Sequence, residues 1–430
     1  MSSQTTEASP NPMVNNMNGE TYSLPMQPFR VLDLTDEKGY FCGKILADLG
    51  ADVIKVEPPG GDPGRNVGPF YHDAPDKEKS LSFFSWNTNK RSVTLNIETL
   101  EGKEIFRRLA KTADFIIESF DPGYMDKLGL DYSTLKLINP RTIMVSVTPF
   151  GLTGPRKDWK APDIVAIAMG GLSAITGSPD RPPVRVSVDQ AHVIAGGQAA
   201  MGAMIAHYYR ENTGIGQHVD VSIQESVVPS ALTVPQAWDL QKFIWPREGA
   251  FLARSGKRVR HLWPCKDGYV AWRIFGGGLG FKTRALVDWM DSEGSAEDLP
   301  KVKWEEMDYP IVPLEEFDHW QAVFLRFFKN HTKDELCSEA LKRGIVLFPA
   351  STPADLLEDP QLKARGFWEM IDHPELQQAI CYPGPLYKST EISWVRRRAP
   401  LTGEHNREVY GEELGYSSQA IAAFKEAGII

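Results

Sequence analysis

A carboxylate and an imidazole stand three residues apart in the segment PPVRVSVDQAHVIAGGQAAMG, which spans residues 182–202. Asp189 could act as a covalent nucleophile and His192 as an acid–base group. Each also has a structural interpretation, because Asp189 precedes a predicted helix over 189–212, where an Asp commonly caps free N–H groups. His192 would lie in the first helical turn, where the dipole disfavours a protonated ring. For His192, packing or hydrogen bonding is the simpler role.

Two cations, Lys90 and Arg91, come directly before a predicted strand. A lysine point charge beside an arginine fork suits nucleotide phosphates, although solvated loop charges are the alternative interpretation. The first strand–helix turn, residues 34–43, has no GxGxxG pattern, and its Asp36 and Glu37 would repel a pyrophosphate. These features exclude an NAD or FAD site at this turn.

The overall composition narrows the class of protein. A net charge of −9 over 430 residues argues against a nucleic-acid partner. Four cysteines make no CxxC pair, so no metal site and no disulfide framework are predicted, and a reducing cytoplasm fits best. The sequence contains no long apolar run of about 18 residues that would span a membrane.

Apolar runs with strand-like and helical spacing alternate from Phe29 onward. This alternation predicts an α/β fold with a parallel sheet and right-handed crossovers. Gly196, Gly197 and Gly202 within one helix, each costing about 1 kcal/mol relative to Ala, predict that another backbone packs closely there. The predicted strands are 29–34, 52–57, 92–97, 114–120, 142–147 and 217–223, and the predicted helices are 40–49, 100–112, 163–176 and 189–212.

The regular alternation breaks up after residue 230, and 260–345 has the pattern of a smaller α/β unit. The chain then returns to loops, strands and a polar helical tail. We therefore predict a small domain with its linkers over 235–345, between two parts of a large domain at 28–234 and 346–430. Residues 1–27, rich in Ser, Asn, Thr, Pro and Met, are predicted to be a flexible extension.

Several segments that cover about residues 28–410 carry a recognisable pattern in order. They are LADLGADVIKVEPPGGDPGR (46–65), NKR (89–91), ESF with PG (118–123), GLTGP (151–155), GIGQHVDVSIQES (214–226) and APLTGEH (399–405), together with GG at 170–171 and TG at 176–177. Read together, they resemble the family III CoA-transferases. The resemblance implies an interlocked dimer in which each chain has a Rossmann-like large domain, built from both chain ends, and a smaller α/β domain. CoA would bind mainly to the large domain.

The resemblance also places a nucleophilic aspartate nine residues after the second proline of the segment and four before a glycine. Counting without gaps puts His192 there, and an imidazole cannot form the acyl anhydride and thioester intermediates of a carboxylate. Asp189 fits only if the segment shifts by three residues. The histidine of the family's racemases and isomerases falls on Pro162, which carries no proton.

The contacts to CoA implied by the resemblance lie near the sheet. Phe120 matches the place that holds adenine, with a core residue at a strand end as the alternative. Ser119 and Lys127 replace the family's usual Asn and Arg. The predicted CoA-binding residues are Lys90, Arg91, Ser119, Phe120, Lys127 and Leu128. Aromatic residues such as Trp263, Trp272 and Phe275 could line an apolar acid's pocket, although core packing is commoner for them.

Three hypotheses for function follow. In the first, this chain is the aspartate-lacking subunit of a heteromeric CoA-transferase and acts with an Asp-bearing homologous subunit, as a heterodimer or heterotetramer. CoA would move from a thioester, with succinyl-CoA as the expected donor, to a carboxylic acid such as the (R)-benzylsuccinate of anaerobic toluene degradation. The second is a self-sufficient homodimeric transferase that uses Asp189. The third is a CoA-ester-binding or scaffold protein without catalysis. Coenzyme A and its thioesters are expected as substrates, with no permanently bound cofactor.

Overall fold

The computed structural model describes residues 14–15, 21–22, 24–231, 233–390, 392, 394 and 396–430. Contacts divide the chain into two compact units. The larger takes the described residues among 1–172, 186–232 and 365–430, and the smaller takes 173–185 and those among 233–364. The smaller unit extends past residue 345, because the strand Phe348–Pro349 pairs with Gly268–Ala271 and Asp355 forms an ion pair with Lys333.

The larger unit is built around alternating strands and helices, as predicted. The helix predicted over 163–176 is divided in two, because Gly171 adopts a φ of +92° that a continuing helix excludes. The elements before the smaller unit are β1 Val14–Asn15, β2 Thr21–Tyr22, β3 Arg30–Leu34, α1 Tyr40–Asp48, β4 Asp52–Glu57, α2 Leu81–Trp86, β5 Arg91–Thr94, α3 Leu100–Ala110, β6 Phe115–Glu118, α4 Tyr124–Leu128, α5 Tyr132–Ile138, β7 Ile143–Thr148, α6 Asp163–Met169, α7 Leu172–Ile175, α8 Ala191–Thr213, β8 His218–Ser222 and α9 Ile223–Val227.

Six strands among the described residues form one parallel sheet in the order β5-β4-β3-β6-β7-β8. The chain runs outward from β3 through β4 to β5, then returns to the other side of β3 with β6. The direction of winding therefore changes between β3 and β6. In open α/β sheets, the carboxyl ends of the strands at such a change leave a crevice in which ligands bind.

Helix α8 packs closely on α1 and on the sheet. A Cβ atom at Gly196 would lie 2.8 Å from the Cβ of Phe41, and one at Gly202 would lie 2.9 Å from Val219. Glycine at these two positions therefore allows the close approach that the sequence predicts. The smaller side chains of α8 that face inward, including Ala195, Ala199 and Ala203, are buried in the same core.

The C-terminal segment returns to the larger unit and completes it. The Tyr410 hydroxyl donates to the Thr94 carbonyl at 2.8 Å, and the Asn406 side chain bonds the backbone and side chain of Thr94. Ile429 is buried beside α3 and β5. These contacts confirm the predicted large domain made from both chain ends. Its last elements are β14 Trp368–His373, β15 Gln378–Pro383, a π-helix Arg407–Glu413 and α16 Ser418–Glu426.

The smaller unit has its own aromatic core. Trp263 and Trp272 are 0% and 4% exposed and pack on Phe324, so both rings serve the core rather than an open pocket. Phe275 is half-buried. The elements are α10 Thr233–Gln241, β9 Phe251–Arg254, β10 Lys257–Arg260, β11 Leu262–Cys265, β12 Gly268–Ala271, α11 Gly280–Ser292, α12 Leu314–Lys329, α13 Lys333–Lys342, β13 Phe348–Pro349, α14 Pro353–Glu358 and α15 Pro360–Ala364.

The predicted flexible extension, residues 1–27, lies mostly outside the described residues. Within it, β1 and β2 pair antiparallel, and Leu24 and Met26 are buried at 4% and 2% exposure. The Met26 N–H donates to the Leu49 carbonyl at 3.1 Å. The end of this range is therefore part of the core. Among the described residues, no helix combines the length and hydropathy needed to cross a bilayer.

Candidate active site

A cavity of about 520 Å³ opens at the carboxyl ends of β3 and β6, where the winding of the sheet changes direction. The loops after β3, β4, β5 and β6 all contribute to its wall. Its lining residues are Leu34, Thr35, Asp36, Val56, Pro58, Pro59, Asp62, Pro63, Leu95, Asn96, Ile97, Glu98, Ser119, Phe120, Tyr124 and Gly428. Of the predicted CoA-binding residues, Ser119 and Phe120 lie in this wall.

Ser119 joins the two loops that meet at this crevice. Its hydroxyl accepts from the Asp36 backbone N–H at 2.9 Å and donates to the Asp36 carboxylate at 2.8 Å. Asp36 also forms an ion pair with Lys38. Because the Ser119 side chain is 5% exposed and both of its hydrogen-bonding roles are used, it shapes the cavity rather than offering a free hydroxyl group.

The aromatic part of the wall consists of Phe120 and Tyr124. Their ring centroids lie 4.7 Å apart with planes tilted by 36°. The Tyr124 hydroxyl donates to Glu98 at 2.8 Å, and partial burial together with this hydrogen bond raises the pKa of Tyr124 to about 12. Phe120 is half-buried and borders the cavity, so its ring is available to a flat ligand.

The buried side chain of Lys55 connects the loop after β3 to the loop after β4. The Lys55 ammonium donates to the Thr35 carbonyl and forms an ion pair with Asp62 at 2.8 Å. Burial opposes ionisation of Asp62, but the Lys55 charge and the hydrogen bonds from Lys55, Tyr40 and Gly64 lower the pKa of Asp62 below its ordinary value. The loop after β3 and the loop after β4 are thus held together before any ligand binds.

The charge of the cavity limits what it can hold. Asp36, Asp62 and Glu98 line it, and no lysine or arginine does within the described chain. Carboxylates repel phosphate but accept hydrogen bonds from amino and hydroxyl groups. The cavity therefore suits a neutral aromatic base and sugar, with any attached phosphates directed outward.

Lys90 and Arg91 lie away from this cavity. The Lys90 ammonium is fully buried and donates to Asp33 at 2.7 Å, Asn87 at 2.9 Å and the Tyr40 carbonyl at 3.1 Å. All three of its hydrogens are used inside the chain. Arg91 pairs with carboxylates, namely Asp52, Glu408 and Glu413. Both residues border a separate cavity of about 480 Å³ whose wall also contains Arg396, Arg397 and Arg398. Their contact with phosphate therefore stays a prediction, although both cations already form ion pairs inside the chain.

The other predicted CoA-binding residues lie on α4, the helix that carries Tyr124. Lys127 is exposed and Leu128 is half-buried. Neither side chain lines the cavity. Lys127 is nevertheless one helical turn from Tyr124, so an extended ligand that leaves the cavity can meet its ammonium group in solvent.

The start of α8 is arranged differently from the prediction. The helix begins at Ala191, and a carboxylate oxygen of Asp163, the first residue of α6, accepts from the Ala191 N–H at 2.6 Å and from the His192 N–H at 3.2 Å. Asp163, rather than Asp189, accepts these two hydrogen bonds. Asp189 is exposed ahead of the helix. A capping carboxylate from another helix leaves no local spacing signal in the sequence.

His192 is 6% exposed. Both of its ring nitrogens are shielded from solvent and have no hydrogen-bond partner among the described residues. In a single chain the ring is thus out of reach of solvent, and packing is the role that this arrangement supports for His192. The site that His192 occupies is therefore closed within a single chain, whereas the cavity at β3 and β6 is open.

Comparisons with known proteins identify the family and the fold. The family model "CoA-transferase family III" matches residues 26–406. The subunit BbsE of succinyl-CoA:(R)-benzylsuccinate CoA-transferase from Thauera aromatica is 37% identical, over 94% of this chain and 97% of its own. Succinyl-CoA–D-citramalate CoA-transferase from Chloroflexus aurantiacus is 30% identical, over 96% of this chain and all of its own.

A solved structure shares the fold. The CAIB/BAIF family protein from Brucella suis superposes with a TM-score of 0.79 at 30% identity, covering 90% of this chain and 99% of that one. The resemblance found in the sequence is thus confirmed by the family model, by the relatives and by the fold. The chain belongs to CoA-transferase family III and is a transferase whose substrates are CoA thioesters.

Proposed function

We propose that this chain is the aspartate-lacking subunit of a heteromeric CoA-transferase and works with a homologous subunit that carries the nucleophile. The observation that carries the proposal is the closed, unpartnered imidazole of His192 at the place where the family resemblance puts a catalytic carboxylate. A relative of this chain bears the word subunit in its name, which supports the same interpretation.

The proposed substrates are succinyl-CoA as donor and (R)-benzylsuccinate as acceptor. The name of the Thauera aromatica relative supports both. Other relatives named as CoA-transferases act on citramalate, oxalate or mesaconate, so the identity of the acceptor is the part of the proposal that most needs an experiment.

CoA is proposed to place its adenosine in the cavity at β3 and β6. Phe120 offers a face for the adenine ring, and a base stacked on an aromatic side chain gains about 1–3 kcal/mol. Asp36 and Glu98 can accept hydrogen bonds from amino and hydroxyl groups of the nucleoside. The phosphates would leave the cavity toward solvent. Of the predicted cations, Lys127 is the nearest to Phe120 along the sequence.

The proposed chemistry takes place on the partner's aspartate. This carboxylate attacks the donor thioester carbonyl, which forms a mixed anhydride and releases CoA thiolate. The thiolate attacks the aspartyl carbonyl of the anhydride, giving an enzyme-bound thioester and the free donor acid. The acceptor carboxylate opens that thioester to a second anhydride, and the thiolate then takes the acceptor acyl group and frees the aspartate. Covalent catalysis divides one difficult exchange into easier steps, and backbone N–H groups can hold each oxyanion.

A homodimer that uses Asp189 is the second candidate. It is favoured by one observation, since Asp189 is exposed whereas the His192 nitrogens are shielded. In that case the isolated chain would itself form an enzyme-bound thioester.

The two candidates separate cleanly in an experiment. We expect the purified chain alone to transfer no CoA from succinyl-CoA, and hydroxylamine or borohydride to trap no thioester in it. Co-expression with the Asp-bearing homologue is expected to give a stable complex that is active. In that complex Asp→Asn in the homologue should abolish turnover, and Asp189→Asn here should leave most of it. Activity of this chain by itself, or its loss on Asp189→Asn, would overturn the heteromeric proposal.

A further inference from the structure

Glu118 ends β6 and is 4% exposed. It is followed directly by Ser119 and Phe120, which line the cavity at β3 and β6, called here the nucleoside cavity. Glu118 itself lines a second cavity of about 660 Å³. Residues 118–120 therefore contribute to the walls of two cavities, with Glu118 in one and Phe120 in the other.

The Glu118 carboxyl group holds this turn by hydrogen bonds. One oxygen accepts from the Phe120 backbone N–H at 2.8 Å. Ser146 is the register partner of Glu118 on β7, and its hydroxyl favours the ionised form of the carboxyl group. Ser146 in turn lies 2.8 Å from the Nε2 atom of His218, whose ring stacks on Tyr132 at 5.4 Å. Polar contacts thus run from the second cavity to the backbone of Phe120.

The charge state of Glu118 can change near neutral pH. Burial raises the pKa of Glu118 to about 7, while the hydrogen bonds from Ser146 and Phe120 and the charge of Lys38 oppose the shift. Asp220 on β8 adds to it. Burial also lowers the pKa of the neighbouring His218. The other charged groups around the second cavity are Asp121, Asp126, Asp131 and Lys157.

We propose that Glu118 is a positioning residue for CoA binding, which fixes the Phe120 face of the nucleoside cavity through the backbone N–H of Phe120 and does so best when its carboxyl group is ionised. This inference rests on the proposed function, in which that cavity holds the adenosine of CoA. Glu118 touches no substrate itself, since its side chain lies in the wall of the other cavity.

The physical reason is the difference between a charged and a neutral acceptor. A hydrogen bond to an ionised group contributes roughly twice as much as one between neutral groups. Ionised Glu118 accepts from the Phe120 N–H with a charged oxygen, whereas the protonated acid has a hydrogen that must itself find an acceptor. Protonation therefore loosens the turn, and a looser Phe120 ring binds an aromatic base less well.

The test measures the affinity of the full chain, together with any co-purified partner, for 3′-dephospho-CoA by calorimetry at pH 6 and pH 8. This probe lacks the phosphate monoester, which titrates near pH 6 and would confuse the result. For the unmodified protein we expect binding about fivefold weaker at pH 6 than at pH 8. Glu118→Gln should bind with the pH 6 affinity at both pH values, with an unchanged circular-dichroism spectrum.

Two conservative variants serve as controls. Asp126→Asn removes an exposed carboxylate from the second cavity without touching the turn, and His218→Gln removes the other group that titrates nearby while keeping an amide that can hydrogen-bond Ser146. Both should keep the pH dependence. If Glu118→Gln fails to fold, Ser146→Ala takes its place. Loss of that hydrogen bond should shift the midpoint of the affinity profile to higher pH, because Ser146 favours the ionised acid.

The variant Phe120→Ala distinguishes a failure of this inference from a failure of the proposed function. If Phe120→Ala leaves the affinity for dephospho-CoA unchanged, the nucleoside is not in this cavity and the proposed function is at fault. If Phe120→Ala weakens binding but the protein shows no pH dependence, or Glu118→Gln keeps it, the positioning role of Glu118 is refuted.

Discussion

The carboxylate of Asp163 is expected to control the first turn of α8. Asp163 is 4% exposed and accepts from two backbone N–H groups, those of Ala191 and His192. Replacing Asp163 by Ala removes a helix cap, which costs about 1–2 kcal/mol. It also leaves buried donors unsatisfied, at about 1–3 kcal/mol each. Since the two costs overlap, we expect local stability to fall by about 3 kcal/mol.

Hydrogen exchange followed by mass spectrometry of a peptide over residues 186–195 measures this change. A loss of about 3 kcal/mol corresponds to exchange roughly a hundredfold faster for the two amides. Asp163→Asn keeps an oxygen acceptor and loses only the charge–dipole attraction of about 0.3–1 kcal/mol, so it should exchange at an intermediate rate. Asp131→Ala removes the half-buried cap of α5 and should leave this peptide unchanged. Exchange in Asp163→Ala within about threefold of the unmodified protein would refute the capping argument.

Two further predictions concern buried charges. Lys90→Met should lower the free energy of unfolding of the larger unit, measured by urea denaturation, by about 3–5 kcal/mol, because Asp33 loses its buried partner. Reduced CoA affinity with unchanged stability would instead support the phosphate contact of Lys90. The contribution of Glu118 to the free energy of unfolding should be fully present below pH 4.5. It should fall by up to about 3 kcal/mol as the pH rises through 7, because the pKa of Glu118 is raised in the folded state. A Glu118→Gln variant whose stability falls equally over this range would contradict that assignment.

Much of the fold follows from short-range pattern. The run DVIKVE became β4 with the predicted bounds, Asp52–Glu57, and α3 begins at Leu100 as predicted, behind a Thr99 cap. Such elements are encoded by apolar spacing and by capping residues within a few positions. The predicted strand over 114–120 shortened to Phe115–Glu118. The reason is that Ser119 and Phe120 turn away to line the cavity, and apolar pattern alone cannot mark where a sheet ends and a binding loop begins.

The site depended on contacts that join distant parts of the chain, and these were harder to predict. Lys90 pairs with Asp33 across 57 residues, and Asp163 caps a helix 28 residues later. A lysine before a strand has the same local pattern whether it meets solvent, phosphate or a buried carboxylate. Glu118 was visible only as part of the ESF segment, since its role comes from the register that sets it beside Ser146.

The arrangement around α8 bears on whether the proposed absence of a nucleophile at position 192 is compatible with the fold. The positive end of the helix is already compensated by Asp163, which lies on another helix and is buried. The fold therefore does not need a carboxylate at position 192 to stabilise the helix, and an imidazole can occupy that place at the cost of leaving two ring nitrogens unsatisfied. The cavity at β3 and β6 is built from other residues, held by Lys55 and Ser119. If CoA binds in this cavity, as we propose, binding of CoA and attack on its thioester would involve separate parts of the fold.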